Sequence, residues 1–195
     1  PLPEGKARIG LCVREELTDF SPFYFLKKAL KNHSVLSKKT VKSRVLKISG
    51  GIIPIHGPVK RISMEGFLMV GDSAGHVKST TGGGIYFGLK AASLAGKTVV
   101  ECLKEKRKIN LSLYEKRCKK AFYGELKFTS FIRNLLDKLT DEDLNQIFSL
   151  LLEEKNFMNK ISQECSSQTQ SKAFKLLVKN IRLLTKICKF LPRFL

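Results

Sequence analysis

One segment concentrates residue types that can hold a ligand: Phe67-Leu-Met-Val-Gly71-Asp72-Ser73-Ala74-Gly75-His76-Val77-Lys78-Ser79-Thr80-Thr81-Gly82-Gly83-Gly84-Ile85. A short apolar run delivers an aspartate at its C-terminal end, where open α/β sheets bind ligands. The carboxylate of Asp72 can accept hydrogen bonds from vicinal hydroxyls of a sugar or ribityl chain. The small residues after it let a flat ligand approach the backbone. Gly82, Gly83 and Gly84 then present N–H groups at a helix N-terminus, which favours negative charge or an electron-rich carbonyl. A ligand-free strand-to-helix turn is the plain alternative, and it has little need of so many small residues around one aspartate.

Periodicity outlines the strands and helices around this loop. Lys6–Val13 alternates as a half-buried strand does, and so does Val41–Ile53, ending in Gly50-Gly51. Pro22–Asn32 reads as a short basic helix. Phe67–Val70 is continuously apolar, as expected of a strand buried on both faces. A long helix follows the glycines to about Lys106, with Ile85, Leu89, Ala92, Val99, Val100 and Leu103 on one side. Beyond Asn110, a plausible N-cap, the pattern is helical almost throughout. Thr140-Asp141-Glu142-Asp143 reads as a capping box, Ser162–Ser171 as a loop, and Lys172–Leu191 as one last helix. The expected fold class is therefore mixed α/β followed by a helical C-terminal domain.

The chain has 195 residues, 43% of them hydrophobic, which excludes a disordered composition. Its net charge is +19. Ten basic residues and no acid lie between Phe20 and Met64, and seven basic residues and no acid follow from Lys172. Such a field attracts polyanions, anionic lipid headgroups or phosphorylated substrates, unless the charges are simply solvated. Cys12, Cys102, Cys118, Cys165 and Cys188 lie far apart, so no metal or disulfide framework is expected, and a reducing, cytoplasmic location is. No window approaches the ~18 apolar residues of a spanning helix.

The loop resembles the second flavin motif of the geranylgeranyl reductase family of flavoproteins, G-D-A/S-A-G followed by T-G-G-G-I. Pro54-Ile55-His56-Gly57-Pro58 resembles that family's P-x-x-G-P segment, and Lys6–Val13 its A-x-V-G-L-G-V strand. Tyr114-Glu115, Gly124-Glu125-Leu126 and Leu139–Leu144 resemble its C-terminal helices. The resemblance implies FAD as cofactor, with Gly71 and Asp72 at its ribityl or pyrophosphate region and Thr81, Gly82, Gly83 and Gly84 at the pyrimidine edge. It implies the C-terminal part of an FAD/NAD(P)-binding glutathione-reductase-type fold. Residues 1–65 would belong to the antiparallel substrate-binding sheet, 66–109 to the FAD-binding domain and 110–195 to the helical domain.

Three departures stand out. Ser79 replaces a common proline. Of the aromatic-proline-lysine signature only Pro3 is kept, in Leu2-Pro3-Glu4. The N-terminal G-x-G-x-x-G unit is missing, whether as a separate chain, a truncation or a true loss; a separate N-terminal half carrying it is a candidate partner, and the chain alone is expected to be inactive. The activity implied is saturation of isoprenoid double bonds in prenyl lipids. No catalytic residue and no metal ligand can be named. A flavin monooxygenase or halogenase is a rival, although Gly75 and Ser79 depart from the usual G-D-A-A-H and proline. A non-catalytic basic module that binds a membrane or nucleic acid is another.

His76 is read either as meeting the flavin or a substrate phosphate, or as a surface loop residue. His33 is expected to be solvated, His56 to support a turn, and Cys12 and Cys102 to be core residues. Lys172, Lys175, Lys179, Arg182, Lys186, Lys189 and Arg193 recur at spacings of three and four, one stripe along a helix. Phe174, Leu177, Ile181, Leu184, Cys188 and Leu191 lie opposite. Such a helix suits an anionic membrane surface, implying a peripheral membrane location, or packs on its own domain with its lysines exposed. Nucleic acid is not the expected partner.

Overall fold

Local chemistry explains where several helices start. The computed structural model describes residues 1–104 and 111–189. Lys106, Asn110, Leu191 and Arg193 lie outside the described residues. The chain divides into two compact units, Pro1–Gly51 and Ile52–Leu195.

In the first unit, α1 (Pro22–Asn32) begins where Ser21 accepts a hydrogen bond from the Tyr24 N–H, with proline at the first helical position. α2 (Ser34–Thr40) begins at His33, whose Nδ1 accepts from the N–H groups of Val35 and Leu36. His33 is thus an exposed cap. Neither Lys6–Val13 nor Val41–Ile53 pairs into a sheet among the described residues: alternation makes a segment fit for a ladder but does not itself supply the partner strand. Cys12 is exposed here, not core.

The second unit holds an antiparallel hairpin of β1 (Ser63–Met64) and β2 (Phe67–Leu68), the one sheet among the described residues. Phe67 is 51% exposed, so this short strand is not buried on both faces. Helices follow: α3 (Ile85–Lys104), α4 (Ser112–Cys118), α5 (Gly124–Leu136), α6 (Asp141–Glu153), α7 (Lys155–Glu164), α8 (Gln170–Lys179) and α9 (Ile181–Cys188). A π-helical segment, Lys119–Tyr123, joins α4 to α5. The chain is therefore mixed α/β, with a small antiparallel hairpin and a long helical stretch.

The core gathers Ile62 and Ala74 with Phe87, Ala91 and Ala95 of α3, and Tyr114, Cys118, Phe122 and Leu126 of the α4–α5 run. α4 also grips the hairpin by polar contacts. The Tyr114 hydroxyl donates to the Met69 carbonyl at 2.9 Å, and Glu115 accepts from the Ile62 N–H at 3.2 Å. A salt bridge from Lys119 holds the Glu115 carboxyl below the usual range. α6 begins with the expected box: Thr140 accepts from the Asp143 N–H, and the Asp143 carboxylate accepts from the Thr140 N–H.

The structure shows which side of α3 is buried, and it corrects the expectation of one last helix. The side of α3 carrying Ile85, Leu89, Ala92, Val99, Val100 and Leu103 faces solvent; Phe87, Ala91, Ala95 and Thr98 face the core. The last helix is two helices. Asn180 leaves helical geometry at φ −92°, ψ 78° and its side chain caps the Leu183 N–H at 3.2 Å. This local cap competes successfully with helix continuation. The basic residues are thereby divided between α8 and α9, and Leu183 is fully buried against its own unit.

Candidate functional site

The glycine loop is built by alternating strain-tolerant glycines with buried anchors. After β2 the chain enters a 3₁₀ turn, Gly71–Ala74, with Gly71 at φ 74°. Gly75 closes it in the left-handed region at φ 65°. A β-carbon there would lie 2.3 Å from the Gly57 carbonyl oxygen, so Gly57-Pro58 can pack on this turn only because Gly75 has no side chain.

His76 then bridges back across the turn. Its N–H donates to the Gly71 carbonyl at 3.1 Å, and its Nδ1 accepts from the Gly71 N–H at 3.3 Å. The neutral ring therefore carries its proton on Nε2, which has no partner among the described residues. Phe122 and Tyr123 meet it edge-on, at 5.1 and 5.9 Å between ring centroids. Phe122 and Tyr123 are adjacent in the π-helical segment, and both are buried. Burial pushes the His76 imidazole down to about 4. His76 is thus a fully buried loop anchor, neither a surface residue nor one open to a ligand.

A second turn follows. The Lys78 carbonyl accepts from the Thr81 and Gly82 N–H groups, and the Lys78 N–H donates to the Gly83 carbonyl at 3.2 Å. Gly82 takes φ 66°. The Lys78 side chain is buried beneath the turn: its Cε would lie 3.1 Å, and its Nζ 3.6 Å, from a β-carbon on Gly83. The ammonium donates to the Ser167 carbonyl, and the Thr80 hydroxyl donates to Gln170 Oε1 at 2.7 Å. These contacts tie the loop to the α7–α8 connection. Sequence reading passed over Lys78, although a lysine enclosed by small residues was a visible signal.

The six residues singled out from sequence lie at the two outer ends of this loop. Asp72, Thr81 and Gly83 are exposed, Gly71, Gly82 and Gly84 are half-buried, and the anchors Ala74 to Ser79 between them are buried. Asp72 and Gly84 are brought together: a β-carbon on Gly84 would stand 2.8 Å from Asp72 Oδ1. The first-turn N–H groups of an α-helix have no intrahelical acceptor, and Gly84, immediately before α3, lies against that carboxylate. A polyol with an adjoining electron-rich carbonyl matches this donor and acceptor set.

The neighbouring titratable groups are quiet. Burial pushes the Cys118 thiol up to about 11 and raises the Tyr114 and Tyr123 phenols further, so all three stay protonated near neutral pH. Among the described residues no group of three acidic, histidine or cysteine side chains could hold a metal ion, and no helix is long and apolar enough to cross a membrane.

Comparison with known proteins gives these features a context. Two proteins described as digeranylgeranylglycerophospholipid reductase 2 match over 154 residues, or 77% of this chain. That of Methanothermobacter thermautotrophicus is 31% identical and that of Methanopyrus kandleri 29%. A Methanocaldococcus jannaschii protein described as uncharacterized is 34% identical over 151 residues. The chain spans 38% to 39% of the length of these relatives. No family model matches the chain, and no solved structure does.

Proposed function

We propose that this chain is the C-terminal part of an FAD-dependent reductase that saturates isoprenoid double bonds of prenyl lipids. The observation that carries the reading is the similarity to digeranylgeranylglycerophospholipid reductases together with an accessible glycine loop in which Asp72 lies against Gly84 at the start of α3. When bound, the flavin supplies the hydride chemistry. Asp72 accepts hydrogen bonds from the ribityl hydroxyls, and Gly71 gives them room. The backbone at Thr81, Gly82, Gly83 and Gly84 offers donors to the pyrimidine edge, and the N-terminus of the 20-residue α3 favours negative charge there. The basic residues of α8 and α9 bring the protein to an anionic membrane surface, where such lipids reside.

The reading is tested by flavin content. The chain is purified alone and after co-expression with a flavoprotein half that carries G-x-G-x-x-G. Yellow protein in the co-expressed sample alone, with reductase activity on geranylgeranyl lipids, is the expected result. Colourless protein in both, with no uptake of added FAD, overturns it.

A further inference from the structure

The glycine loop carries two charges of opposite sign, and they are placed differently. Asp72 is exposed at its outer end, whereas Lys78 is only 5% exposed at its centre. A buried ammonium is costly unless an anion compensates it. Among the described residues none does. Lys78 donates to the uncharged Ser167 carbonyl, and no carboxylate lies within ion-pair distance of it. Glu125, the acid that reaches the start of α8, is taken by the Ser171 N–H and hydroxyl. Bracing the loop does not need a charge: Thr80 braces it with a neutral hydroxyl, donating to Gln170 Oε1 at 2.7 Å. The position of the charge is also specific. Gly83 has no side chain, and Lys78 Nζ stands 3.6 Å from where its β-carbon would be. The Lys78 backbone closes the same turn, through Gly83 on one side and through Thr81 and Gly82 on the other. A ligand held by the exposed backbone of Thr81 and Gly83 therefore meets a fixed positive charge beneath the turn, and burial leaves that charge weakly screened by salt.

We propose that the buried ammonium of Lys78 is a fixed counter-charge for the pyrimidine edge of reduced flavin, a role that rests on the flavin reading of this loop. The loop then holds the anionic reduced cofactor more tightly than the oxidised one. Charge selects the reduced form. Uptake of two electrons and one proton leaves the flavin with one more negative charge, carried by its pyrimidine ring, and charge placed near that ring tunes the cofactor. A nearby opposite charge favours the ionised form of a group and does little for the neutral one, so oxidised FAD gains little from Lys78. In this role Lys78 transfers no proton and forms no bond; it tunes the cofactor through its field.

The test uses the full chain co-expressed with a flavoprotein half that carries G-x-G-x-x-G. Affinities for oxidised and dithionite-reduced FAD are measured by titration, and the midpoint potential by spectroelectrochemistry. Lys78→Met keeps the length of the stem and removes the charge. Lys78→Gln removes the charge and keeps a donor for the Ser167 carbonyl. Both are expected to weaken reduced FAD about tenfold relative to oxidised FAD, which lowers a two-electron potential by about 30 mV. Thr80→Val cuts the neighbouring tether, keeps the charge, and is expected to leave the potential unchanged. Circular dichroism melts verify that the variants are folded. The wild type supplies a readout that needs no variant: as pH is lowered, its reduced flavin is expected to keep the anionic spectrum below the point where free reduced FAD is protonated. Protonation at the same pH as free reduced FAD overturns the proposal, as does one potential shared by wild type, Lys78→Met and Lys78→Gln. A shift in Thr80→Val as large as that in Lys78→Met also overturns it, because the lysine is then a brace. Each of these results leaves a yellow protein and the flavin reading intact. Colourless wild-type protein that takes up no FAD sinks the flavin reading and the counter-charge together.

Discussion

The carboxylate of Asp72 lies against Gly84, its Oδ1 2.8 Å from where a β-carbon on that glycine would stand. The two residues are twelve positions apart and are joined by a loop whose middle is sunk into the core. The candidate ligand surface is therefore made from the two ends of one loop, and its shape depends on the anchors between them.

Gly84→Ala tests this closeness. The new methyl displaces Asp72 and presses on Val77 Cγ2 at 3.1 Å. Because an exposed carboxylate can swing aside, the loss of stability is expected to stay near ~1 kcal/mol. Flavin affinity of the assembled protein, measured by equilibrium titration, is expected to fall by about tenfold, the value of one lost charged hydrogen bond. Unchanged affinity would remove Asp72 from the site.

Gly75→Ala has the opposite balance. Here the β-carbon meets backbone, the Gly57 carbonyl oxygen at 2.3 Å, in a conformation that already disfavours L-residues. Destabilisation of about 3 kcal/mol is expected, read as a lowered midpoint in urea. A wild-type midpoint would mean that Gly57-Pro58 does not pack on the turn.

The buried His76 predicts acid sensitivity. Its folded value is about 4 against 6.5 when unfolded, so between these the unfolded state binds more protons. Stability is then full above pH 6.5 and declines as pH falls towards 4. In His76→Asn the amide oxygen replaces Nδ1 as acceptor for the Gly71 N–H and does not titrate. This variant is expected to flatten the urea midpoint between pH 6.5 and 4. An unchanged slope there would assign the acid sensitivity to other groups.

Thr140→Ala removes the hydroxyl from the α6 box, leaving the Asp143 N–H without its acceptor. About 1 kcal/mol should be lost in thermal or urea unfolding. A neutral result would show that solvent replaces this cap without cost.

The features legible in the sequence are those that neighbours along the chain decide. Ser21-Pro22 starts α1, Thr140 to Asp143 starts α6, and the three glycines stand immediately before a helix, because caps and turns are satisfied within a few residues. The same locality made the ligand-like residues Asp72 and Gly82 to Gly84 recognisable before their positions were known. Asn180 was legible in principle as a cap, but the regular spacing of lysines hid it.

Tertiary structure decided what depends on distant partners. Lys6–Val13 alternates like a strand, yet alternation supplies no neighbour to bond with. α3 is apolar on both sides, so periodicity could not tell which one the α4–α5 run would cover; the run covers Phe87, Ala91 and Ala95. His76 looked like a loop residue until Phe122 and Tyr123 closed over it, and Lys78 became buried only through the α7–α8 connection. Sequence fixes the local free energy of turns and caps; burial is set by which surfaces meet, and that follows from packing across the whole unit.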